Sequence, residues 1–556
     1  MCGGEGSLVM MPISVARLCR VVGGSMVGDA TAPDSAVEQV VTDSRRVLPG
    51  TVFVAIKGER VDGHDFLDSA ARDGAVAAIV DHEVAGAGIA QIVVPDTVEA
   101  LGDVARASIA LRRDAEGDFT VIGITGSVGK TTTKDMLNAV LSTVGETVAP
   151  VGSFNNEIGL PLTALRVGPC TRFLIAEMGA NHGGEIAHLT SIVPPDISVV
   201  LKVGVAHLGE FGSVERIAQA KSEIVRGLVD GGTAVLNAGD SHVAAMAAIA
   251  PGDVLWFRDP DDPDCSAVCD DPAGSDDPGD GRSTLLSATD VRLDGHDRPS
   301  FTLDDGVVQA RVRLAIPGRH NVVNALAAAT VARHVGVGVD RIAAALSGVE
   351  HISPHRMAVS RVVRDGAEFT LIDDSFNANP DSMMAGLDGL ARWGDGPSSG
   401  PSSYESSSYE SSSSGPSSSE SPSCEPYRIA VLGAMLELGA DEDALHRSIG
   451  RYAVSCGADA VIAVGNGDGD GHLADLAGCL AQGAREAVGD DETAGRHGDV
   501  RVAVAEDSAQ ADIMVMRLVR GHPGSVVLLK GSHASGLSAL ASSWTVPGTG
   551  HDTGRP

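Results

Sequence analysis

The stretch Phe119–Gly145 constrains this chain most, because it reads as a strand, a glycine-bearing loop and an amphipathic helix in immediate succession. Phe119-Thr-Val-Ile-Gly-Ile124 is apolar and β-rich, and Met136, Leu137, Val140, Leu141 and Val144 recur on one helical face. Gly145 is expected to cap that helix. Between them stand Thr125, Gly126, Ser127, Val128, Gly129, Lys130, Thr131 and Thr132. Glycines let backbone N–H groups close on phosphate oxygens, and a helix N-terminus adds partial positive charge. Lys130 supplies a full charge, and the Thr131 hydroxyl suits Mg²⁺. The strict spacing wants Gly six residues before Lys130, where Ile124 stands between Gly123 and Gly126, so the loop is a variant. The eight residues from Thr125 to Thr132 are the candidate contacts for ATP phosphates.

A chain of 556 residues is too long for one core, and two to four domains are expected. Aromatics make up only 3 %, so the cores must be built from Val, Ile, Leu and Ala. The formal charge of −33 argues against non-specific nucleic-acid binding and against adhesion to anionic membranes. An anionic substrate would need a local pocket of Lys, Arg or metal. No run of 18 apolar residues is present, and Met1–Met11 lacks the basic head and apolar run of a signal peptide. A soluble cytoplasmic protein is expected, with Met10 or Met11 an alternative start. The eight cysteines are scattered; only Cys265 and Cys269 lie close, with no second Cys or His pair nearby, so free thiols are expected rather than zinc.

Strand and helix signals alternate throughout, which predicts an α/β chain of three domains. Residues 12–116 form a small N-terminal α/β unit, with strands at 51–56 and 75–80 and a helix at 66–74. Residues 117–352 form a central, mostly parallel sheet around the phosphate loop, with further strands at 173–176 and 197–201 and an acidic insertion at 259–285. Residues 353–545 form a Rossmann-like unit with strands at 369–372, 429–432, 460–464, 500–504 and 526–529. It is interrupted at 396–426 by a Ser-rich insertion whose composition predicts disorder.

Four further constellations carry chemistry. Glu177 follows the run Phe173–Ala176, where parallel sheets place metal ligands, and could hold the Mg²⁺ that Thr131 touches. The alternative is a solvated acid at a strand end. His207 by itself reads as a loop hydrogen-bonder, and Lys221 as a surface lysine on the helical stretch Val214–Val225. Asn321 and Asn324, in Gly318-Arg-His-Asn-Val-Val-Asn324, share a helix face and suit adenine or ribose, or else simple capping. Asp373-Asp-Ser-Phe-Asn-Ala-Asn-Pro380 puts many polar groups on a strand-end loop, which reads as a site or as an Asx-turn before a helix.

Together these segments resemble the Mur ligase family, ATP-dependent amide-forming enzymes of peptidoglycan synthesis. Thr125–Thr131 is similar to the family's Thr-Gly-Thr-Asn-Gly-Lys-Thr, with Ser127 and Val128 substituted. Asn155-Asn156-Glu-Ile-Gly159-Leu-Pro161, Glu177-Met-Gly179, His207 and Gln219-Ala-Lys221-Ser-Glu-Ile224 follow in the family's order. Thr42–Arg45, Phe53–Arg60 and Gly63–Phe66 resemble the UDP-binding domain of the branch that adds D-alanyl-D-alanine to UDP-N-acetylmuramoyl-tripeptide. Asp373–Pro380 and Leu432–His446 resemble the same branch.

The resemblance implies that ATP activates the tripeptide carboxylate as an acyl phosphate, which the dipeptide amine then attacks. Lys130, Glu177, His207 and Lys221 would be catalytic. Thr131 and Glu177 would hold one Mg²⁺, and Glu177, His207 and a carbamate on Lys221 a second site. Asn321 and Asn324 would approach adenine, Asp374 the ribose and Arg356 the phosphates. Ser44 and Arg45 would contact the UDP-sugar, Asn155 and Asn156 the substrate side of the site, and Asn377 and Asn379 the dipeptide. A monomer is expected. Departures from the branch pattern are Phe376 for Tyr, His355 for Gly, Ala434 for Asp and His533 for Arg. Two alternatives stay open: a sister ligase adding the third amino acid or a polyglutamate-forming relative, and an inactive nucleotide-binding relative. Retention of Lys130, Glu177, His207 and Lys221 speaks against the inactive one.

Overall fold

The computed structural model describes residues 10–28, 34–58, 61–205, 208–258, 286–350, 352–394, 425–466, 471–489 and 499–545. The acidic insertion at 259–285 and nearly all of the Ser-rich insertion lie outside the described residues, as does His207.

Among the described residues, three large sheets organise the chain. The first has the order Ser25–Val27, Gln91–Val93, Ala77–Val80, Thr51–Val54, Gln39–Val41, parallel except for its first pair. The second, of nine strands, runs Gln309–Arg313, Pro299–Asp304, Leu286–Leu293, Val254–Arg258, Thr233–Asn237, Ile197–Val200, Thr120–Thr125, Phe173–Glu177, Thr147–Val148. Its last seven strands pair in parallel, as expected for strand–helix alternation. The two hairpin pairings at the other edge are antiparallel, an extension that alternating apolar residues in Pro299–Asp304 produce and that the sequence reading left out. The third sheet has the order Ala358–Arg364, Ala367–Asp374, Val526–Lys530, Arg428–Gly433, Ala460–Val464, Arg501–Ala505, parallel beyond its first pair.

The inner parallel strands, Thr120–Thr125, Phe173–Glu177 and Ile197–Val200 in the central sheet and Arg428–Gly433 and Val526–Lys530 in the third, are buried on both faces. Val121 points into one apolar layer and Ile122 and Ile124 into another, so each face of the central sheet has its own core. The first layer continues through the helix Thr97–Asp114 into the N-terminal sheet, joining Leu101 and Ile109 to Ile79 and Val52. The linker at 352–357 leads into the third sheet, whose two faces are packed by separate clusters around Leu432 and Val431.

Two local expectations change. The helix after the phosphate loop is Lys130–Leu141 with Ser142 at its C-cap, so Gly145 does not cap it. Gly145 lies in the following turn, where a Cβ would stand 2.6 Å from Arg172 Cδ. Cys19, Cys456 and Cys479 are free thiols, but Cys170, exposed on the loop before Phe173, is disulfide-bonded and so departs from the free-thiol expectation. Among the described residues, no helix is long and apolar enough to cross a membrane.

Candidate active site

The phosphate loop leaves the strand Thr120–Thr125 at Gly126 and enters its helix at Gly129, whose φ of 84° lies in the left-handed region. Asn324 packs so closely on this turn that a Cβ at Gly129 would stand 2.3 Å from its Oδ1. The loop is held from below as well: the Ser127 N–H donates to Lys202 O (2.8 Å), and the Gly204 N–H donates to Ser127 Oγ (2.9 Å). Thr125 Oγ1 donates to Met178 O at 2.8 Å, tying the loop to the neighbouring strand end. Lys130 folds over the loop and donates to Gly126 O at 2.8 Å. Val128 and Thr132 complete the turn and are half-buried.

Thr131 Oγ1 donates to Glu177 Oε2 (3.0 Å) and lies 2.9 Å from Ser153 Oγ. Asn155 Nδ2 donates to Glu177 Oε1 at 3.0 Å, which fixes the carboxylate. Glu177 is 1 % exposed, so it is not the solvated strand-end acid of the bland reading. Arg356, from the linker, donates to Ser153 Oγ (3.2 Å) and reaches Thr131 Oγ1 (3.5 Å), with its guanidinium 4.5 Å from the Phe376 ring centroid. Here the aromatic face of Phe376 stacks on the arginine.

Lys221 corrects the surface-lysine reading. It sits on the inner face of the helix Val214–Arg226, is 3 % exposed, and makes no hydrogen bond or ion pair among the described residues. Burial, with a further contribution from the nearby Lys130 charge, lowers its pKa to about 7. Burial also lowers the Lys130 pKa; Glu177 opposes this and Arg356 adds to it. A chain of charge −33 thus sets Lys130 and Arg356 beside Glu177, with Lys221 close to Lys130, the local positive pocket that an anionic substrate requires. The oxygens of Thr131 and Glu177, side by side and next to Lys130, are a donor set suited to Mg²⁺.

The other candidate contacts have protein partners of their own. Asn324 Nδ2 donates to Asn321 Oδ1 (2.9 Å), Asn324 Oδ1 accepts from Thr133 Oγ1 (3.3 Å), and Asn321 Nδ2 donates to Pro317 O (2.6 Å). Asn324 thus braces the loop helix through Thr133, and Asn321 holds Asn324 in turn. Asp374, expected at the ribose, is paired with Lys530 Nζ at 2.5 Å. Asn156 Oδ1 accepts from the Gly159 N–H at the start of the helix Gly159–Ala164. Asn379 closes a capping box on the helix Pro380–Arg392, and its backbone carbonyl and amide take part as well, so local structure accounts for it. Asn377 remains exposed and lines a cleft of about 420 Å³ with Phe376, Glu437, Ser532 and His533. Ser44 and Arg45 stand apart on the N-terminal unit, in the turn Ser44–Arg46, where Asp43 pairs with Arg45 at 2.8 Å.

Sequence reasoning missed Ser153, which bridges Thr131 and Arg356, and Lys134, which is 2 % exposed one turn beyond Lys130. A signal existed for the first, since Ser153 precedes Asn155-Asn156 by two residues.

Comparison with known proteins agrees with this geometry. Residues 124–332 match the Mur ligase middle domain, and residues 36–109 match the Mur ligase family catalytic domain. UDP-N-acetylmuramoyl-tripeptide--D-alanyl-D-alanine ligase of Mycobacterium tuberculosis is 39 % identical over 96 % of this chain and 97 % of that protein. The Escherichia coli protein of the same name is 34 % identical over 82 % and 86 %. Among solved structures, MurF from Acinetobacter baumannii superposes with a TM-score of 0.72 at 28 % identity, covering 96 % of this chain and 99 % of that one. MurF ligase from Thermotoga maritima in complex with ADP gives 0.65 at 25 % identity, covering 91 % and 96 %. The chain belongs to the Mur ligase family.

Proposed function

We propose that this protein is an ATP-dependent, ADP-forming ligase that adds D-alanyl-D-alanine to UDP-N-acetylmuramoyl-tripeptide, acting as a cytoplasmic monomer in peptidoglycan precursor synthesis. The observation that carries this reading is Arg356, which crosses from the linker of the third sheet to Thr131 and Ser153 at the phosphate loop. It joins an ATP-activating half to a half bearing the Asn377 cleft. The names of relatives matching nearly the whole chain support the choice of substrates.

In this reading the tripeptide carboxylate attacks the γ-phosphorus of ATP, ADP leaves, and an acyl phosphate forms. The dipeptide amine then attacks the acyl carbon, the C–O bond to phosphate breaks, and an amide remains. Lys130, Arg356 and the loop N–H groups neutralise the phosphoryl group as it transfers. Thr131 and Glu177 would hold Mg²⁺, which supplies further charge neutralisation there. Asn155 keeps Glu177 oriented, and Asn377 faces the acceptor. Closure of the third unit over the loop excludes water, which would otherwise hydrolyse the acyl phosphate. Ser44 and Arg45 keep the UDP-sugar role that family position gives them, and Asn156 borders the Glu177 segment.

Lys221 is suited to carbamylation. Its pKa of about 7 leaves much of the amine neutral near physiological pH, and a neutral amine adds CO₂ to give a carbamate and a proton. The resulting anion would stand near the Lys130 charge. His207 keeps its second-site role by family position.

The decisive assay offers the purified enzyme two mixtures. One holds the tripeptide nucleotide with D-alanyl-D-alanine, and the other the dipeptide nucleotide with a diamino acid. ATP-dependent phosphate release is expected in the first. Release only in the second would assign the chain to the sister activity, and release in neither would support an inactive relative.

A further inference from the structure

Lys134 is a buried cation that none of the proposed chemistry uses. Its Nζ donates to Pro150 O (3.1 Å), Gly152 O (3.2 Å) and Ser353 Oγ (3.2 Å), so all three ammonium hydrogens have acceptors. It also pairs with Asp135 Oδ1 at 2.6 Å. The other oxygen of Asp135 accepts the Ser353 backbone N–H at 2.8 Å. Two adjacent residues on the phosphate-loop helix therefore grip one linker residue by its backbone and its side chain.

The partners of this grip all lead to the phosphate site. Pro150 and Gly152 carry the segment that ends at Ser153, which contacts Thr131 and Arg356. Ser353 lies three residues before Arg356. The Lys134 head thus ties together the helix bearing Lys130 and Thr131, the segment bearing Ser153, and the linker bearing Arg356.

We infer that Lys134 and Asp135 are positioning residues, which hold the linker at Ser353 so that Arg356 reaches the phosphate site from the third unit. The alternative is that the pair only stabilises the helix. An anchor for that purpose would not need to grip the one segment that must rotate when the third unit moves. The Lys134 ammonium takes the Ser353 hydroxyl and the Asp135 carboxylate takes the Ser353 N–H, so the linker is gripped by side chain and backbone at one point and held in one arrangement. The inference rests on the reading of Thr131, Ser153 and Arg356 as contacts to ATP phosphates.

The test is a double-mutant cycle on full-length protein, read as affinity for the β,γ-methylene analogue of ATP with Mg²⁺ by calorimetry. Ser353→Ala removes one bond to Lys134 and leaves Lys134 the Pro150 and Gly152 carbonyls and the Asp135 carboxylate. It is expected to weaken binding about fivefold, and Arg356→Ala about tenfold or more. If Ser353 acts through Arg356, adding Ser353→Ala to Arg356→Ala should weaken binding by less than about twofold. Lys134→Met should match the Ser353→Ala pattern and Lys134→Arg should restore part of the affinity; the Ser353 cycle stands if Lys134→Met does not fold. Full additivity of the two alanines, or wild-type affinity in Ser353→Ala beside weakened Arg356→Ala, would overturn the positioning role. Wild-type affinity in Arg356→Ala would instead overturn the phosphate-site reading on which it rests.

Discussion

The Thr131 hydroxyl donates to Glu177 Oε2 at 3.0 Å across 46 residues of sequence because the two strands that deliver them end in register, with Glu177 paired to Ile124. The phosphate loop begins directly after Ile124 and Thr125, so the acid arrives beside the first helical turn. Glu177→Gln keeps the size of this group and one of its two acceptor oxygens and removes its charge. Turnover is expected to fall roughly 10²-fold or more, the scale of losing one preorganised electrostatic contact. Half-saturation by Mg²⁺ should move to higher concentration in the same phosphate-release assay. An unchanged Mg²⁺ dependence would remove Glu177 from the metal site.

Lys221 gives a signed pH prediction. Its folded pKa is lowered from 10.5 to about 7, so between those values the unfolded chain binds more protons than the folded one. Stability from this group therefore rises with pH across that window, and the penalty for a buried ammonium is fully present below pH 7. Lys221→Met is expected to melt above the wild type at pH 6, with the difference shrinking by pH 9. The same variant should be inactive, since it cannot carry a carbamate. Wild-type protein in ¹³C-bicarbonate should show a carbamate resonance that Lys221→Met lacks. Full activity in Lys221→Ala would count decisively against the carbamate.

The catalytic core was legible where one chain segment specified it alone. The strand, loop and helix around Lys130 follow from local periodicity, and Phe173–Glu177 and Val526–Lys530 were visible as short apolar runs. Side-chain fates set by partners distant in sequence were not legible. Lys221 reads as exposed because nothing within its helix says that the face meets the phosphate loop. The packing of Asn324 on the turn at Gly129 was not legible, because the two lie almost 200 residues apart. The capping box of Asn379 matches the reading of its loop as a turn before a helix. Family position supplied the role of Lys221 that spacing could not, and it offered no hint of Lys134.

The ion pair between Asp374 and Lys530 joins neighbouring strand ends at the mouth of the third sheet, with side chains 15 % and 2 % exposed. Removing one member of such a pair leaves the other charge buried without compensation. Lys530→Met is expected to destabilise this unit by about 3 kcal/mol, and Asp374→Asn combined with it to recover part of the loss. Trp393 and Trp544 lie in this unit and Trp256 in the central sheet, so urea unfolding followed by fluorescence in a Trp256→Phe background reads it. A midpoint for Lys530→Met equal to that of wild type would mean that the pair is solvated.

Closure has its own latch, distant from the phosphate loop. Arg392 Nε donates to Asp297 Oδ1 at 2.6 Å, Gly394 N–H donates to Gly295 O at 2.9 Å, and His296 meets the Trp393 ring edge-on at 5.0 Å. These contacts clamp the turn between Leu286–Leu293 and Pro299–Asp304 onto the end of the helix Pro380–Arg392. Asp297 is fully buried, and its burial raises the carboxyl pKa against the pull of Arg392, so the carboxylate depends on this one partner. Arg392→Gln is expected to loosen the third unit without touching the phosphate loop. Affinity for the ATP analogue should stay within about twofold while kcat falls about tenfold, equivalent to 1.4 kcal/mol lost in the closed state. Small-angle scattering should show a larger radius of gyration in the variant. A variant that scatters as wild type yet turns over more slowly would place Arg392 in the chemistry and not in the latch.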